Sequence, residues 1–367
     1  MNEALKFPEP QGSVLEQPWL FFDEEIEAAE ERLLAFGVKN YHAKSFTHFV
    51  YQLGVLEPSK MLSLSRDFRK RLQDCVDTRL LPIKKRLVSK DGTVKFLFEV
   101  RGPKSLEEIE AVYIPEKSRV TLCVSSQVGC KMGCRFCLTA QLGFRANLSA
   151  GDIVRQVMTV NADPELRPVT NIVFMGMGEP FDNLDEVRKA TKILTHERGL
   201  KLSARKICVS TVGLADRIDS LTKEEPFRLA VSLNSSDDVS RNEVMPINRR
   251  WNLERLLESC LRYSQRTNKK VTFEYILMKG VTDRDEDLRN LVRLLSPIPC
   301  KLNLIPYNES PFTPFKRPTE ERILEFHAGL LKAQFPVFIR KNRGNDIFAA
   351  CGMLKRVDPQ SSVIPEA

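Results

Sequence analysis

The sequence lacks any uninterrupted apolar run near the roughly 20 residues that a membrane helix needs, so a bilayer is not expected as its solvent. It also lacks a secretory leader: MNEALKFPEPQGSVLEQPW has no basic segment followed by an apolar core, and a cytoplasmic location is the expectation. Strong charge of one sign is missing too. The 56 Lys and Arg against 48 Asp and Glu leave only +8 on 367 residues. Spread evenly, that excess aids solubility; gathered on one face, it would favour a polyanion such as RNA. Nine cysteines under a cytoplasmic expectation argue against a disulfide framework and for metal or redox chemistry. No second C-x-x-C accompanies Cys134-x-x-Cys137, which counts against a paired-knuckle zinc site.

With 42% apolar and 28% charged residues, the composition is that of an ordinary globular chain, long enough for a large catalytic domain and a smaller accessory one. Residues 1–20 carry Pro and Gln with little periodicity and are expected to form a loose tail, as are 357–367. Apolar residues at three- and four-residue spacings predict a helical accessory module over 21–85, with helices ending near Gly37 and Gly54 and a role in gripping RNA. A strand-rich linker is expected over 86–118, with a turn at Lys90-Asp91-Gly92.

From 119 to 356, strand-like runs (RVTLCVS, TNIVFMGMG, KICVST, FRLAVSLN, VTFEYILMKG, KLNLIPYN, PVFIRK) alternate with amphipathic helical patterns. That alternation predicts an α/β catalytic core with a parallel sheet. A partial barrel of about six β/α repeats, with its site at the C-terminal strand ends, is the first reading. An open doubly wound sheet is the alternative that periodicity leaves standing.

The cysteines are unevenly placed. Cys75, Cys208, Cys260 and Cys300 stand singly and read as small packed hydrophobes. Cys130, Cys134 and Cys137 form C-x-x-x-C-x-x-C, whose three thiolates suit three irons of a 4Fe-4S cube. The fourth iron then lacks a nearby protein ligand, and an amine-plus-carboxylate group such as the methionine end of S-adenosylmethionine would chelate it. Gly129 and Gly133 let the backbone wrap the cluster, and Phe136 shields it. Zinc, with Cys123 as a fourth ligand, is the rival reading. Following the strand TNIVF, MGMGEP places Gly178 and Glu179 where a concavity opens and a carboxylate can accept from an ammonium group.

These motifs, in this order on an alternating chain, resemble the radical S-adenosylmethionine superfamily. CVSSQVGCKMGCRFC, MGMGEPFDN, MPINRRWNL, TFEYILMKGV, LNLIPYN and RGNDIFAACG further resemble the adenine-C2 RNA methyltransferases of the RlmN family, over nearly the whole chain. The resemblance implies that the reduced cluster cleaves S-adenosylmethionine to a 5′-deoxyadenosyl radical, the cofactor carrying the hard step. It implies that Cys351 receives a methyl group from a first S-adenosylmethionine, that a second makes it a radical, and that the carbon adds to C2 of an adenine. Cys123 then resolves the protein–RNA bond by forming a transient disulfide with Cys351, and Glu110 accepts the C2 proton.

Cofactor contacts implied by the same match are Gly178, Glu179, Ser210, Ser232, Leu233, Asn234 and Asn308. Two positions depart from the family pattern: SLN stands where SLH is common, and Val212 follows Ser-Thr where a small polar residue is usual. Read without the resemblance, Cys123 is a buried strand cysteine, Cys351 a helix-end cysteine and Glu110 a solvated charge.

The resemblance implies 23S rRNA and the anticodon loop of certain tRNAs as substrates, an electron donor such as flavodoxin, and a monomer. The target adenine must be unstacked for C2 to be reached. Basic segments at 84–86, 248–250 and 340–343 are candidates for phosphates, with Arg340, Lys341 and Arg343 just ahead of the Cys351 loop. C8 methylation of the same kind of adenine, by the sister Cfr-type chemistry, and a zinc-stabilised RNA-binding protein are the alternatives.

Overall fold

The computed structural model describes residues 18–354. The expected tail 357–367 lies outside them, as does 1–17 of the expected tail 1–20. Trp19–Leu20 (β1) is a short strand pairing in parallel with Val76–Asp77 (β2). Three helices lie between: Ile26–Leu34 (α1), Asn40–Tyr51 (α2) and Arg66–Cys75 (α3). Phe21 and Phe22 are buried against them, Phe21 meeting Phe46 edge-to-face with centroids 5.1 Å apart. The apolar core of this helical module is continuous with that of the rest of the chain. Asp23 Oδ1 accepts the Gly151 N–H at 2.8 Å, and Arg198 reaches Glu30 at 2.9 Å, so the module is fastened to the core's outer helices.

Ten strands form one sheet. In chain order they are Ile83–Val88 (β3), Val94–Arg101 (β4), Leu106–Pro115 (β5) and Val120–Cys123 (β6), followed, after a separate hairpin of Gln127–Gly129 (β7) and Phe144–Asn147 (β8), by six more. These are Asn171–Phe174 (β9), Ile207–Thr211 (β10), Arg228–Ser232 (β11), Val271–Leu277 (β12), Cys300–Pro306 (β13) and Val337–Ile339 (β14). The helices among them are Leu138–Gln141 (α4), Ala150–Asn161 (α5), Leu184–Thr195 (α6), Ala215–Asp219 (α7), Asp238–Val244 (α8), Leu253–Thr267 (α9), Asp285–Leu295 (α10) and Glu320–Leu330 (α11).

Strands β6 and β9 to β14 are parallel, and their spatial order follows their chain order without reversal. A doubly wound sheet would reverse at a switch point, so the barrel-type winding holds and the alternative falls. Six β/α repeats are completed by a seventh strand, β14. Because β14 and β3 are the two edges of the sheet, the barrel is partial. Local chemistry agrees with the pattern: Ser149 and Asp152 form a capping box at α5, and Asn268 ends α9 in the left-handed conformation that Asn tolerates.

The stretch expected as a linker is integral to the sheet. β3, β4 and β5 add antiparallel to β6, and the boundary expected at 85/86 falls inside β3. The reason lies in β4, where Phe96 and Phe98 are fully buried and stack 5.6 Å apart, which a linker would not do. Register carries one row across five strands: Lys95, Val112, Cys123, Val173 and Cys208 are successive partners. By the two-residue period of strands, Ser210 and Ser232 share that face, while Leu122, Ile172 and Ile207 point the other way and are fully buried.

The chain beyond β14 returns to the β3–β4 turn. Asp346 accepts the Ser89 hydroxyl at 2.6 Å and the Lys90 N–H at 3.2 Å, and Asp91 accepts the Gly344 N–H at 3.2 Å. Burial alone would raise the Asp91 carboxyl, but hydrogen bonds from Thr93, Gly344 and Ser89 hold it down at about 2. A depressed carboxyl contributes stability that is complete above its unfolded value and is lost as pH falls through its folded one. Acid unfolding followed by circular dichroism should therefore lose part of its amplitude between about pH 4 and pH 2 in Asp91→Asn. An unchanged acid limb would show that the turn does not hold this segment.

Candidate functional site

Every residue expected at the site lies at or just beyond a C-terminal strand end, apart from Glu110 on antiparallel β5 and Cys351 on the last loop. Cys130, Cys134 and Cys137 occupy the loop from β7 to α4. Cys130 N–H donates to Gly143 O at 2.9 Å, closing the loop on its own far side. Gly129 makes that approach possible: its φ is +73°, and a Cβ there would lie 1.7 Å from Gly143 O. Burial pushes the Cys130 thiol up to about 12, with Cys137 and Glu179 adding to the shift, and raises Cys134 and Cys137 as well. A cation that takes them as thiolates is what such thiols require to ionise.

MGMGEP folds back on this loop. Glu179 N–H donates to Gln127 Oε1 at 2.8 Å, and Ser126 and Gln127 N–H both donate to Met177 O. Gly178 stands at φ +102°, where a Cβ would meet Gln127 Cβ at 2.6 Å. Glu179 is 2% exposed and accepts the N–H groups of Val212 and Phe181, each at 2.9 Å. Burial nevertheless lifts it to about 7. Val212, the departure from the family pattern, thus contributes a backbone donor that does not depend on its side chain.

Asn234 adopts φ +54°, a conformation that Asn and His enter more readily than most residues. Its Oδ1 accepts the Ile276 N–H at 3.1 Å, and its Nδ2 faces Met245 Sδ at 3.5 Å. The substitution of Asn for the common His therefore fits the backbone of the turn.

Cys351 follows a turn made by Gly344 and Phe348, both at positive φ. Its loop is fastened to the cysteine loop: Leu138 N–H donates to Gly352 O at 2.8 Å, and Thr139 Oγ1 donates to Leu354 O at 2.8 Å. Leu138, Ala350 and Met353 form a small apolar cluster beneath. Asn308 Nδ2 donates to Cys351 O at 3.3 Å. Cys123 ends β6 in the neighbourhood of Cys351; burial first, then the Cys351 sulfur, pushes its thiol up to about 12. A cleft of about 410 Å³ opens beside this loop, lined by Tyr307, Asn308, Glu309, Arg317, Asn342, Asn345 and Met353.

Glu110 is not the solvated charge that its sequence surroundings suggested. It is 2% exposed and ion-pairs with Lys95 at 3.0 Å. Its carbonyl accepts the Ser125 hydroxyl at 2.6 Å, and Ser125 Oγ in turn accepts the Met177 N–H at 2.8 Å. Two further expectations change. Arg340 turns inward rather than toward phosphates: its Nη1 lies 3.3 Å from Met175 Sδ, in the neighbourhood of Cys351 and Glu274. Asn248 of the 248–250 run is buried and Arg343 lies 3.7 Å from Asp91, while in the 84–86 run Lys84 and Arg86 are exposed but paired with Glu99 and Glu165, which leaves Lys341, Arg249 and Arg250 exposed in the other two runs.

Arg241 on α8 was not visible as a site residue. Fully buried, it donates to the carbonyls of Leu233 at 2.9 Å, Val212 at 2.8 Å and Ser232 at 3.3 Å, and to Asn248 Oδ1 at 2.7 Å. It ties the ends of β10 and β11 into one rim, and burial lowers its guanidinium to about 10. The signal was the run RNEVMPIN, where an arginine and an asparagine seven residues apart serve each other.

The donors fit the group that the motif calls for. Two buried thiols and the half-buried Cys137 lie within electrostatic reach of one another, Glu179 is buried with its charge opposed by desolvation, and Asn308 Oδ1 and Ser126 Oγ are buried without protein partners. Among the described residues no three His, Cys, Asp or Glu are grouped around a single metal-ion position, whereas a cube takes one thiolate per iron. Arg241→Met should cost about 3 kcal/mol of unfolding free energy in urea titration, because buried carbonyls lose a charged donor. It should also weaken S-adenosylmethionine binding in equilibrium dialysis; unchanged stability would remove Arg241 from its place in the rim.

Comparison with known proteins agrees with this geometry. The Radical SAM superfamily profile matches residues 124–292. A "Dual-specificity RNA methyltransferase RlmN" from Syntrophobacter fumaroxidans is 44% identical over 89% of this chain and 94% of its own length. One from Bdellovibrio bacteriovorus is 41% identical over 93% of this chain and 85% of its own. A crystal structure of a radical SAM methyltransferase from Sphaerobacter thermophilus superposes with a TM-score of 0.86 at 40% identity, covering 92% of this chain and 99% of that one. A zinc-stabilised binding module is thereby set aside, and the chain belongs to the RlmN family of radical S-adenosylmethionine methyltransferases.

Proposed function

We propose that the chain methylates C2 of an adenosine in RNA, in 23S rRNA and in the anticodon loop of certain tRNAs, with Cys351 as methyl carrier. The observation that carries this reading is the fastening of the Cys351 loop to the cysteine loop through Leu138 N–H and Gly352 O. That contact is what a carrier loaded and activated beside the cofactor needs. C2 is favoured over C8 because the relatives found over most of the chain carry the RlmN name.

Cys130, Cys134 and Cys137 would hold a 4Fe-4S cluster, and Gly178, Glu179, Ser210, Ser232, Leu233, Asn234 and Asn308 would hold S-adenosylmethionine. When bound, these groups supply one-electron cleavage chemistry that adenine C2 needs, since its hydrogen is too weakly acidic for ordinary base-assisted methylation. Glu179 offers the cofactor's ammonium a buried carboxylate whose charge is otherwise costly there. Glu110 accepts the C2 proton. Cys123 attacks the Cys351 sulfur and forms a disulfide while the bond from that sulfur to the new methyl carbon breaks and the carbon takes up a proton; the disulfide must be reduced at each turnover, and an electron donor such as flavodoxin is a further partner. Burial keeps the Cys123 thiol protonated and quiet until a partner arrives. No helix among the described residues is long and apolar enough to cross a membrane. Lys341, Arg249 and Arg250 are left to meet phosphates.

Purified anaerobically and incubated with unmodified RNA, the enzyme should yield 2-methyladenosine in nucleoside mass spectrometry. Cys123→Ala should trap a covalent RNA–protein adduct, and Cys351→Ala should give neither adduct nor product. An 8-methyladenosine product would overturn the regiochemistry, and normal turnover by Cys123→Ala would overturn its role.

A further inference from the structure

Lys95 has no place in the chemistry so far, and its position is unusual. It is 4% exposed, on a strand expected to be a linker, and its Nζ lies 3.0 Å from Glu110 Oε1. The register explains the contact: Leu97 opposes Glu110 and Lys95 opposes Val112, so Lys95 and Glu110 are diagonal neighbours on one face. Val112 opposes Cys123 across the next pair of strands, which puts that face on the Cys123 side.

The same ammonium also donates to Phe348 O at 3.3 Å. Phe348 is a non-glycine residue at φ +50°, three positions ahead of Cys351. One side chain therefore touches both Glu110 and the backbone turn that presents Cys351. A lysine ammonium has three donors and no acceptor, and two directions are used here. Burying an ion pair is rarely the cheapest way to fill a sheet; apolar residues of similar size do as well or better. A charged pair at this position calls for a reason beyond packing.

We propose that Lys95 is a positioning residue for the proton transfer, holding the Glu110 carboxylate and the Cys351 loop in one fixed relation. The inference rests on the reading of Glu110 as base. In the step concerned, the C2–H bond breaks and an O–H bond forms on Glu110. The electron pair of the C–H bond stays with the ring, and Lys95 keeps its proton. Its contribution is to compensate the carboxylate before transfer where water does not reach, and to keep it at the carrier's adenine. Methyl loading of Cys351 does not use this base and should be spared.

The test uses full-length, cluster-loaded Lys95→Met, Lys95→Arg and Glu110→Gln. Methyl loading of Cys351 is read by peptide mass, and RNA methylation with ordinary and C2-deuterated adenosine by nucleoside mass. Lys95→Met should load Cys351 yet form RNA product about tenfold to a hundredfold more slowly, within the range of a misplaced general base. Its C2-deuterium isotope effect should exceed that of the wild type, because proton removal becomes limiting. Lys95→Arg should recover most of the rate. The proposal is overturned if Lys95→Met matches the wild type in rate and isotope effect, or if Lys95→Arg loads Cys351 but is as slow as Lys95→Met. If Lys95→Met does not fold, the Arg variant decides alone: recovered turnover supports the role, and lost turnover with intact loading overturns it. Normal turnover by Glu110→Gln would sink the base assignment itself, whereas an inactive Glu110→Gln beside a normal Lys95→Met sinks only the present inference.

Discussion

A hydrogen bond of 2.8 Å from Leu138 N–H to Gly352 O joins two loops from nearly opposite ends of the core. Leu138 directly follows the last cysteine of the C-x-x-x-C-x-x-C loop, and Gly352 directly follows Cys351. On the other side, Asp346 and Gly344 are held by the β3–β4 turn through Ser89, Lys90 and Asp91. The Cys351 loop is thus clamped between the cofactor loop and the antiparallel extension of the sheet. Its freedom is what the rest of the structure limits, and positioning to within about an ångström is what the carrier role proposed for Cys351 demands.

That clamp gives the antiparallel strands a chemical purpose. A partial barrel alone would present Cys123, the cofactor rim and the cysteine loop. Adding β3 to β5 extends the same face by three strands and brings Lys95 and Glu110 beside Cys123. Arg241 works from the opposite flank, joining the carbonyls of Val212, Ser232 and Leu233. Both flanks use buried charges, Lys95 against Glu110 and Arg241 against backbone carbonyls, which costs desolvation and gains fixed geometry.

Much of this was legible in the sequence, for identifiable reasons. The seven parallel strands announced themselves as apolar runs, and the three cysteines as a spacing with few other uses. What stayed hidden depended on distance in the chain. Glu110 looked like a solvated charge because its partner, Lys95, lies on another strand of an antiparallel pair. The linker expectation failed because the apolar alternation of β4 and β5 says that they are strands but not which sheet they join. Arg340 looked like a phosphate contact because a basic run reads the same whether its first residue faces water or the interior. Asn234 reads in the sequence only as a departure from the common His, and its left-handed backbone shows why the turn accepts it.

The central claim is that the clamped loop exists to present a methylated Cys351 to RNA. Peptide mass mapping of the anaerobically purified enzyme, loaded with S-adenosylmethionine and kept from RNA, addresses that claim most directly. The predicted result is a single added methyl group on the peptide containing Cys351, absent from Cys351→Ser. A methyl group on Cys123 or Cys208 instead, or none on any cysteine while RNA is still methylated, would contradict it.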